Sequence, residues 1–157
     1  MAEVIELKLA EALLLRSEYQ QRIESLKQRI SDNVRIQEND TPHEKPDLLL
    51  SEIVNVSGQL CEIIKRINRS NSKIILPDGR RMAEALVDRD MLLKERSIFL
   101  GIVSKANERD YRLTHSEVRT YLTVDVAKLQ KQIDELSRRY RELDTMIQST
   151  NWTTELA

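Results

Sequence analysis

Residues 124–151 read VDVAKLQKQIDELSRRYRELDTMIQSTN, and this stretch decides the fold. Apolar side chains recur in it at alternating spacings of three and four residues, namely Val126, Leu129, Ile133, Leu136, Tyr140, Leu143 and Ile147. Nearly every residue between them is polar or charged, which is typical of a helix with a single apolar seam. Such a helix is unstable alone in water and needs apolar partners along its length.

Three further stretches repeat this pattern and supply those partners. We predict helices over residues 4–31, 46–70, 81–107 and 124–150. The first three seams are Ile5, Leu9, Ala12, Arg16, Tyr19, Ile23, Leu26 and Ile30; Leu49, Ile53, Val56, Leu60, Ile63 and Ile67; and Met82, Leu86, Arg89, Leu93, Arg96, Leu100, Val103 and Asn107. In the third helix, Ala85, Leu92 and Phe99 displace the apolar face to one side. Pro46 suits the first turn of the second helix.

Length and composition favour one helical domain covering residues 1–157. Charged residues make up 32% of the chain and aromatic residues 4%, with three glycines and three prolines. This balance suits long helices better than a sheet-based fold. We therefore expect an all-α protein, a coiled-coil-like bundle of four long, mostly antiparallel helices.

Two short segments between the helices predict a small β-ribbon at one end of the bundle. Residues 73–76 (KIIL) and 117–122 (EVRTYL) are rich in residues that favour strands. The sequence Pro77-Asp78-Gly79 after the first segment is a strong turn signal. The polar residues 32–45 form a long connector between the first two helices.

The side chains required for common enzymatic centres do not occur in the required patterns. His43 and His115 lie in connectors, and the few glycines do not form a phosphate-binding loop. Cys61, the only cysteine, excludes an intrachain disulfide, and its position beside the seam predicts a half-buried side chain. The formal net charge of −1 lacks the basic excess usual in nucleic-acid binders. We expect no catalysis, metal or other cofactor.

Three seam arginines, Arg16, Arg89 and Arg96, form a candidate anion site. Arg89 and Arg96 lie one heptad apart on the same helix edge, and a guanidinium matches the geometry of carboxylate and phosphate groups. The alternative is structural. Arg16 would then extend its charged end to water, and the other two would form ion pairs with nearby acidic residues at the bundle boundary.

A second candidate is an interaction surface at a bundle end, formed by Asn68, Arg69, Asn71 and Trp152. The asparagines lie at a helix end, where this residue type also caps carbonyls. Trp152, the only tryptophan, either docks the C-terminal tail on the bundle or lies exposed for a partner.

The N-terminus has no basic segment followed by an apolar one, so we expect no signal peptide. No stretch approaches the roughly 20 apolar residues that span a bilayer. The expected location is the cytoplasm.

The last third resembles a family of small bacterial helical proteins often labelled septicolysin-like. The resemblance rests on TVDV at 123–126, LQKQID at 129–134, RELD at 141–144, IQ at 147–148 and NW at 151–152, with KLAEAL at 8–13 and RINR at 66–69. It covers essentially the whole chain. The septicolysin label implies a membrane-active, pore-forming protein.

The pattern as a whole favours a non-enzymatic intracellular scaffold or protein-interaction module. Seams of this length exceed what one chain readily buries, so we also expect a homodimer and an unknown protein partner. The first alternative is a septicolysin-like membrane-active protein, for which the partner is a membrane. The others are a nucleic-acid binder with a one-sided basic stripe, and an anion binder using Arg16, Arg89 and Arg96.

Overall fold

The computed structural model describes residues 7–108 and 120–157. Within these residues the chain forms four helices, which are α1 (Leu9–Asn33), α2 (Pro46–Lys73), α3 (Met82–Asn107) and α4 (Val126–Thr153). The all-α class is confirmed, and each predicted helix is present. The predicted start of the first helix at residue 4 lies outside the described residues, and the helix is observed from Leu9; the other ends lie within about three residues of the prediction. As expected, α2 begins at Pro46, where the missing N–H costs the helix nothing.

The chain divides into two compact units. One consists of Met1–Ile74 and Gln148–Ala157, and the other of Ile75–Ile147. We refer to them as the first and second units. The single domain expected from the length stays a prediction.

In the first unit, α1 packs against α2 through the predicted seams. One buried cluster contains Leu9, Ala12, Ile63, Ile67 and Leu156, and the other contains Leu26, Leu49 and Val56. Tyr19 packs against both clusters and joins them. Burial of these side chains is the main force holding the two helices together, because each helix alone leaves its seam in water.

Polar contacts fix the connector between α1 and α2. Asn33, buried at the end of α1, donates from its side chain to the Arg29 carbonyl at 2.9 Å. Its side-chain oxygen accepts from the Glu44 backbone N–H at 3.0 Å. Arg29 also forms an ion pair with Glu44. The hydrogen bond from the Arg29 side chain is the main reason why the pKa of the Glu44 carboxyl is lowered. The two ends of this long connector are therefore tied to each other.

The C-terminal tail lies against the start of α1 and the end of α2. The Leu9 N–H donates to the Thr154 carbonyl at 2.9 Å, and the Leu156 N–H donates to the Leu7 carbonyl at 2.8 Å. The Ala157 N–H donates to the buried Ser70 hydroxyl at 2.8 Å. Leu156 is 9% exposed, whereas Trp152 is 58% exposed. The tail is thus docked by Leu156. Of the two alternatives for Trp152, docking of the tail is wrong, and binding of a partner stays a prediction.

The second unit buries apolar residues from α3, from α4 and from the turn before α3. They are Leu76, Met82, Ala85 and Leu92, together with Ile133, Leu136, Leu143 and Ile147. The α4 seam is as predicted, since its remaining members Val126, Leu129 and Tyr140 are partly buried. On α3 the displacement toward Ala85 and Leu92 is confirmed, because Leu93 and Leu100 of the regular seam are exposed.

The predicted two-stranded ribbon is absent from the described residues. Residues 117–119 lie outside them, and 120–122 form no strand. The helix α2 continues to Lys73, so only Ile74, Ile75 and Leu76 lie between the helix and the turn. They leave room for a single bridge between Ile75 and Arg81. Only Lys73 of the predicted strand is taken up by the helix.

The predicted turn at Pro77 is confirmed. The Gly79 N–H donates to the Leu76 carbonyl at 2.9 Å, and Gly79 has φ +89°, a conformation that glycine adopts without a steric penalty. Arg80 follows, and its guanidinium donates to the Asp78 carboxylate at 2.6 Å and to the Asp88 carboxylate at 2.8 Å. These bonds connect the turn to the first turns of α3.

Replacing Leu156 by Ala should lower the free energy of unfolding by about 2–3 kcal/mol, because a buried leucine side chain would leave a cavity. Trp152→Ala removes a larger side chain but should cost less than about 1 kcal/mol, because that side chain is mostly in water. Urea unfolding followed by circular dichroism measures both. Equal losses in the two variants would contradict the assignment of Leu156 as the anchor.

The side-chain hydrogen bond from Arg80, supported by the Arg80 backbone N–H, lowers the pKa of the Asp78 carboxyl. Stability from this contact is present above the ordinary aspartate pKa and is lost as pH falls through the lowered value, below about pH 4. An NMR titration should show the lowered pKa in the wild type and a rise in Arg80→Met. Lys131→Met is the control, and an unchanged Asp78 titration in Arg80→Met would contradict the contact.

Candidate functional site

The three seam arginines do not form one group within either unit. Arg16 lies half-buried on α1 in the first unit, whereas Arg89 and Arg96 lie on α3 in the second. The guanidinium of Arg89 contacts Asp144 on α4 at 3.3 Å and Asp90 at 3.2 Å. Its charge is therefore used in ion pairs, as the structural alternative predicted. The anion site at the three arginines stays a prediction.

Arg96 differs from Arg89, one heptad away on the same helix. Its Nε atom is buried and has no hydrogen-bond partner among the described residues. A buried donor without a partner loses its hydrogen bonds to water and gains none in return. Burial of this N–H therefore costs the folded chain some stability.

The residues predicted to form a surface at a bundle end belong to the first unit. Asn68 and Arg69 are exposed on α2, Asn71 is partly buried, and Trp152 is exposed on the last turn of α4. Arg66, one turn before Arg69, donates from Nε to the Ala157 carbonyl at 3.3 Å. The C-terminal tail thus lies beside this part of α2. Binding of a partner by these four residues stays a prediction.

An open cleft lies between α3 and α4 in the second unit. Its cavity volume is about 470 Å³, and it is lined by Arg80, Asp88, Met91, Leu92, Glu95, Arg139, Glu142, Leu143 and Met146. Most of its charges are already paired. Arg80 binds Asp78 and Asp88, and Glu142 accepts from Arg138 at 2.6 Å. Among the described residues, no group of His, Cys, Asp and Glu side chains is arranged to hold a metal ion.

A line of apolar side chains on α3 is exposed to solvent. We call Val87, Met91, Ile98 and Ile102 the α3 stripe; they are 62%, 47%, 53% and 38% exposed, respectively. At 100° per residue these four positions lie within about 60° of arc. The buried residues Ala85 and Leu92 lie on another side of the helix. Thus α3 is apolar on two faces, and the stripe is the one that remains in water.

Further apolar residues extend the stripe at its C-terminal end. Ile102 lines a shallow hollow together with Tyr121, Leu122 and Val124, which precede α4. Tyr121 and Leu122 are strongly exposed. Exposed apolar residues grouped on one face in this way mark an interaction site more often than isolated ones do, although Lys94 lies close to the line between Met91 and Ile98.

In the first unit, some of the exposed apolar residues form a shorter line. Leu50 and Val54 lie one turn apart on the outer face of α2, and Cys61 lies two turns further along it. Cys61 is exposed, so the expected half-buried position is wrong. Its neighbours on that face are polar or glycine, which leaves the α3 stripe as the more extended surface.

Sequence reasoning missed the α3 stripe because the heptad pattern was assigned to a single face. The four residues of the stripe are separated by four, seven and four positions, which also fits a helical period. The sequence therefore did contain a signal for a second apolar face. Among the described residues, no helix has both the length and the apolar character needed to cross a bilayer.

These features define an all-α protein with two helical units and an exposed apolar helix face. The chain belongs to the Family of unknown function DUF6847, whose model matches residues 16–156. It is similar to the crystal structure of a functionally unknown conserved protein from Corynebacterium diphtheriae, with 36% identity and a TM-score of 0.89. The match covers 96% of this chain and 99% of that chain. No curated protein matches, and the septicolysin-like resemblance stays a prediction.

The two arginines of α3 should respond differently to removal of their charge. Arg89→Met should lower the free energy of unfolding by about 1 kcal/mol, because it leaves the half-buried Asp144 without its partner. Arg96→Met should be neutral or stabilising by up to about 1 kcal/mol, because it removes a buried donor without a partner. Urea unfolding of both variants measures this difference. A larger loss in Arg96→Met than in Arg89→Met would contradict it.

Proposed function

We propose that this chain is a non-enzymatic protein-interaction module that binds a helical partner through the α3 stripe. The observation that carries the proposal is the exposure of four apolar side chains in one line on α3. Burying such a side chain fully is worth about 1.5–3 kcal/mol, so the unburied part of each amounts to about 1 kcal/mol. A partner that covers the stripe would gain this free energy.

The shape of the surface favours a helix as the partner. Val87 and Ile102 are separated by about 22 Å along a straight helix axis. Charged residues border the line: Lys94 and Glu95 lie on its two sides near the middle, and Glu84 and Lys105 lie beyond its two ends. A narrow apolar line with charged edges matches the apolar face of a second amphipathic helix.

The cleft between α3 and α4 supports the non-enzymatic part of the proposal. General acid–base catalysis needs side chains free to exchange protons with a substrate. Here Arg80, Asp88 and Glu142 are engaged in ion pairs along the surface. An arginine and carboxylates paired in this way are typical of the solvent-exposed edge between two packed helices.

The test is site-specific photo-crosslinking in the cells that produce the protein. A photoreactive amino acid at position 98 should give an adduct with a second polypeptide, because the stripe is covered in the bound state. The same amino acid at the exposed, polar position Gln132 of α4 is the matched control and should give none. The adduct from position 98 should disappear when Ile102→Asp is added, since a charge within the stripe opposes burial.

Two results would overturn this proposal. One is the absence of any polypeptide adduct from position 98 and, in separate experiments, from positions 91 and 102. The other is an adduct from position 98 that persists unchanged with Ile102→Asp in a chain whose circular dichroism is unaltered.

A further inference from the structure

We infer that the chain is a tandem duplication of one helix pair whose first helix begins at a backbone clasp, and that one of the two clasps opens while the rest of the chain stays folded. The copies are α1 with α2 and α3 with α4. The α2 and α4 seams coincide at an offset of 80, from Leu49 and Leu129 to Ile67 and Ile147. Both helices contain 28 residues. Any two heptad helices match in their seams, so the irregular features at the helix ends are the stronger evidence.

The starts of α1 and α3 are built alike. They read KLAEAL at residues 8–13 and RMAEAL at residues 81–86, an offset of 73. In each case the basic residue is the N-cap, and its backbone N–H donates to a glutamate three residues later. The distance is 2.7 Å from Lys8 to Glu11 and 3.3 Å from Arg81 to Glu84. The first helical residue and the alanine three positions after it are fully buried in both helices. A heptad pattern requires none of this shared chemistry at the cap.

A backbone clasp holds each of these helix starts to the segment that follows α2 or α4. In the turn clasp, formed by residues 75–76 with 80–81, the Leu76 N–H donates to the Arg80 carbonyl at 2.8 Å. In the tail clasp, formed by residues 155–156 with 7–8, the Leu156 N–H donates to the Leu7 carbonyl, also at 2.8 Å. The two donors differ by 80 in number and the two acceptors by 73, which are the offsets of the helices themselves.

The neighbouring residues of the two clasps correspond in the same way. The turn clasp has an antiparallel bridge between Ile75 and Arg81, and the tail clasp has one between Glu155 and Lys8. A strand register that slips by one residue reverses which side chains face inward, so the same register at both clasps is a specific match. The C-terminal tail is therefore the second copy of residues 75–76.

The two clasps differ in how their segments are connected. Three residues, 77–79, join the segments of the turn clasp, whereas Lys8 and Glu155 of the tail clasp lie 147 positions apart in the chain. When the backbone bond of the turn clasp breaks, the short turn keeps donor and acceptor close together. No short connection does this for the tail clasp. The tail clasp is therefore the one that opens locally.

Opening of the tail clasp changes the surface of the first unit. In the closed form, Leu156 packs in one buried cluster with Leu9, Ala12, Ile63 and Ile67. Once the tail leaves, the side of this cluster that faced Leu156 meets water. The open form therefore presents an apolar surface that the closed form lacks.

Amide hydrogen exchange of the full chain, followed by NMR, tests the opening. After correction for local sequence, the Leu156 N–H should exchange about tenfold faster than the Leu76 N–H. The Ile63 N–H, in the buried part of α2, should exchange more slowly than either. A Leu156 N–H as slow as that of Ile63 would mean that the tail leaves only on global unfolding. Equal rates at Leu156 and Leu76 would contradict the difference between the clasps, so either result overturns the opening.

A circular permutant tests the duplication. Its tail clasp is closed by Asp-Gly between Ala157 and Leu7, as Asp78-Gly79 closes the turn clasp, and residues 1–6 are omitted. Its new ends replace the bond between Asp78 and Gly79. If the clasps are equivalent, the permutant keeps the helical circular dichroism of the wild type. The exchange rates of the two clasp donors should then be reversed, with the tail clasp about tenfold slower than the turn clasp.

The matched control is the same permutant with a flexible linker of about ten Gly and Ser residues in place of Asp-Gly. It should fold, but its tail clasp should exchange as fast as in the wild type. If this control folds and the Asp-Gly permutant does not, the turn does not fit the tail clasp and the duplication is overturned. If neither folds, the turn clasp cannot open as the tail clasp does, which overturns their equivalence as well.

The glycine of the turn tests the local geometry. Gly79→Val should lower the Tm of the wild type by about 4 °C, because φ +89° is strained for valine. A valine in place of the linker glycine should lower the Tm of the Asp-Gly permutant by a similar amount. A permutant that accepts this valine without loss does not form the turn, and the equivalence of the clasps is then wrong.

Discussion

A long amphipathic helix folds only when its apolar seam is covered, and this constraint governs the whole chain. In the first unit, the α1 and α2 seams cover each other through two clusters joined by Tyr19. The C-terminal tail then closes one end, where Leu156 fills the space beside Leu9 and Ile67. The hydrogen bonds between the tail and α1 fix its direction, but burial of Leu156 supplies the driving force.

The sequence predicted those parts of the fold that depend on local chemistry. The heptad spacing identified four helices and the residues on their seams, Pro46 marked the start of α2, and Pro77-Asp78-Gly79 marked a turn. The ribbon failed because only Ile74, Ile75 and Leu76 lie between the end of α2 and the turn, and residues 120–122 form no strand for them to pair with. Strand propensity differs between residues by less than about 1 kcal/mol, which is too little to hold a strand that has no partner strand.

The anchoring of the tail and the exposure of Cys61 could not be predicted, because both depend on which residues meet in space. Trp152 and Leu156 are both large and apolar, and they lie one helical turn apart. Only the direction of the chain after α4 decides which one reaches the core. The same reasoning applies to the candidate arginines. Their spacing placed Arg89 and Arg96 on one edge of α3, but only the position of Asp144 on α4 distinguishes a paired arginine from one with an orphaned Nε.

The distribution of apolar residues on α3 is hard to explain from a single chain. The predicted seam of this helix contains Arg89, Arg96 and Asn107, so its regular inward face is weakened by polar groups. Leu93 and Leu100 of that seam are themselves exposed. The outward stripe, by contrast, places four apolar side chains in one line about 22 Å long. If burial within one chain were the only requirement on α3, the stronger apolar line would be expected to face inward. Lys94, between Met91 and Ile98, is a charged side chain close to this line, so α3 divides its apolar residues between an inward face and an outward one.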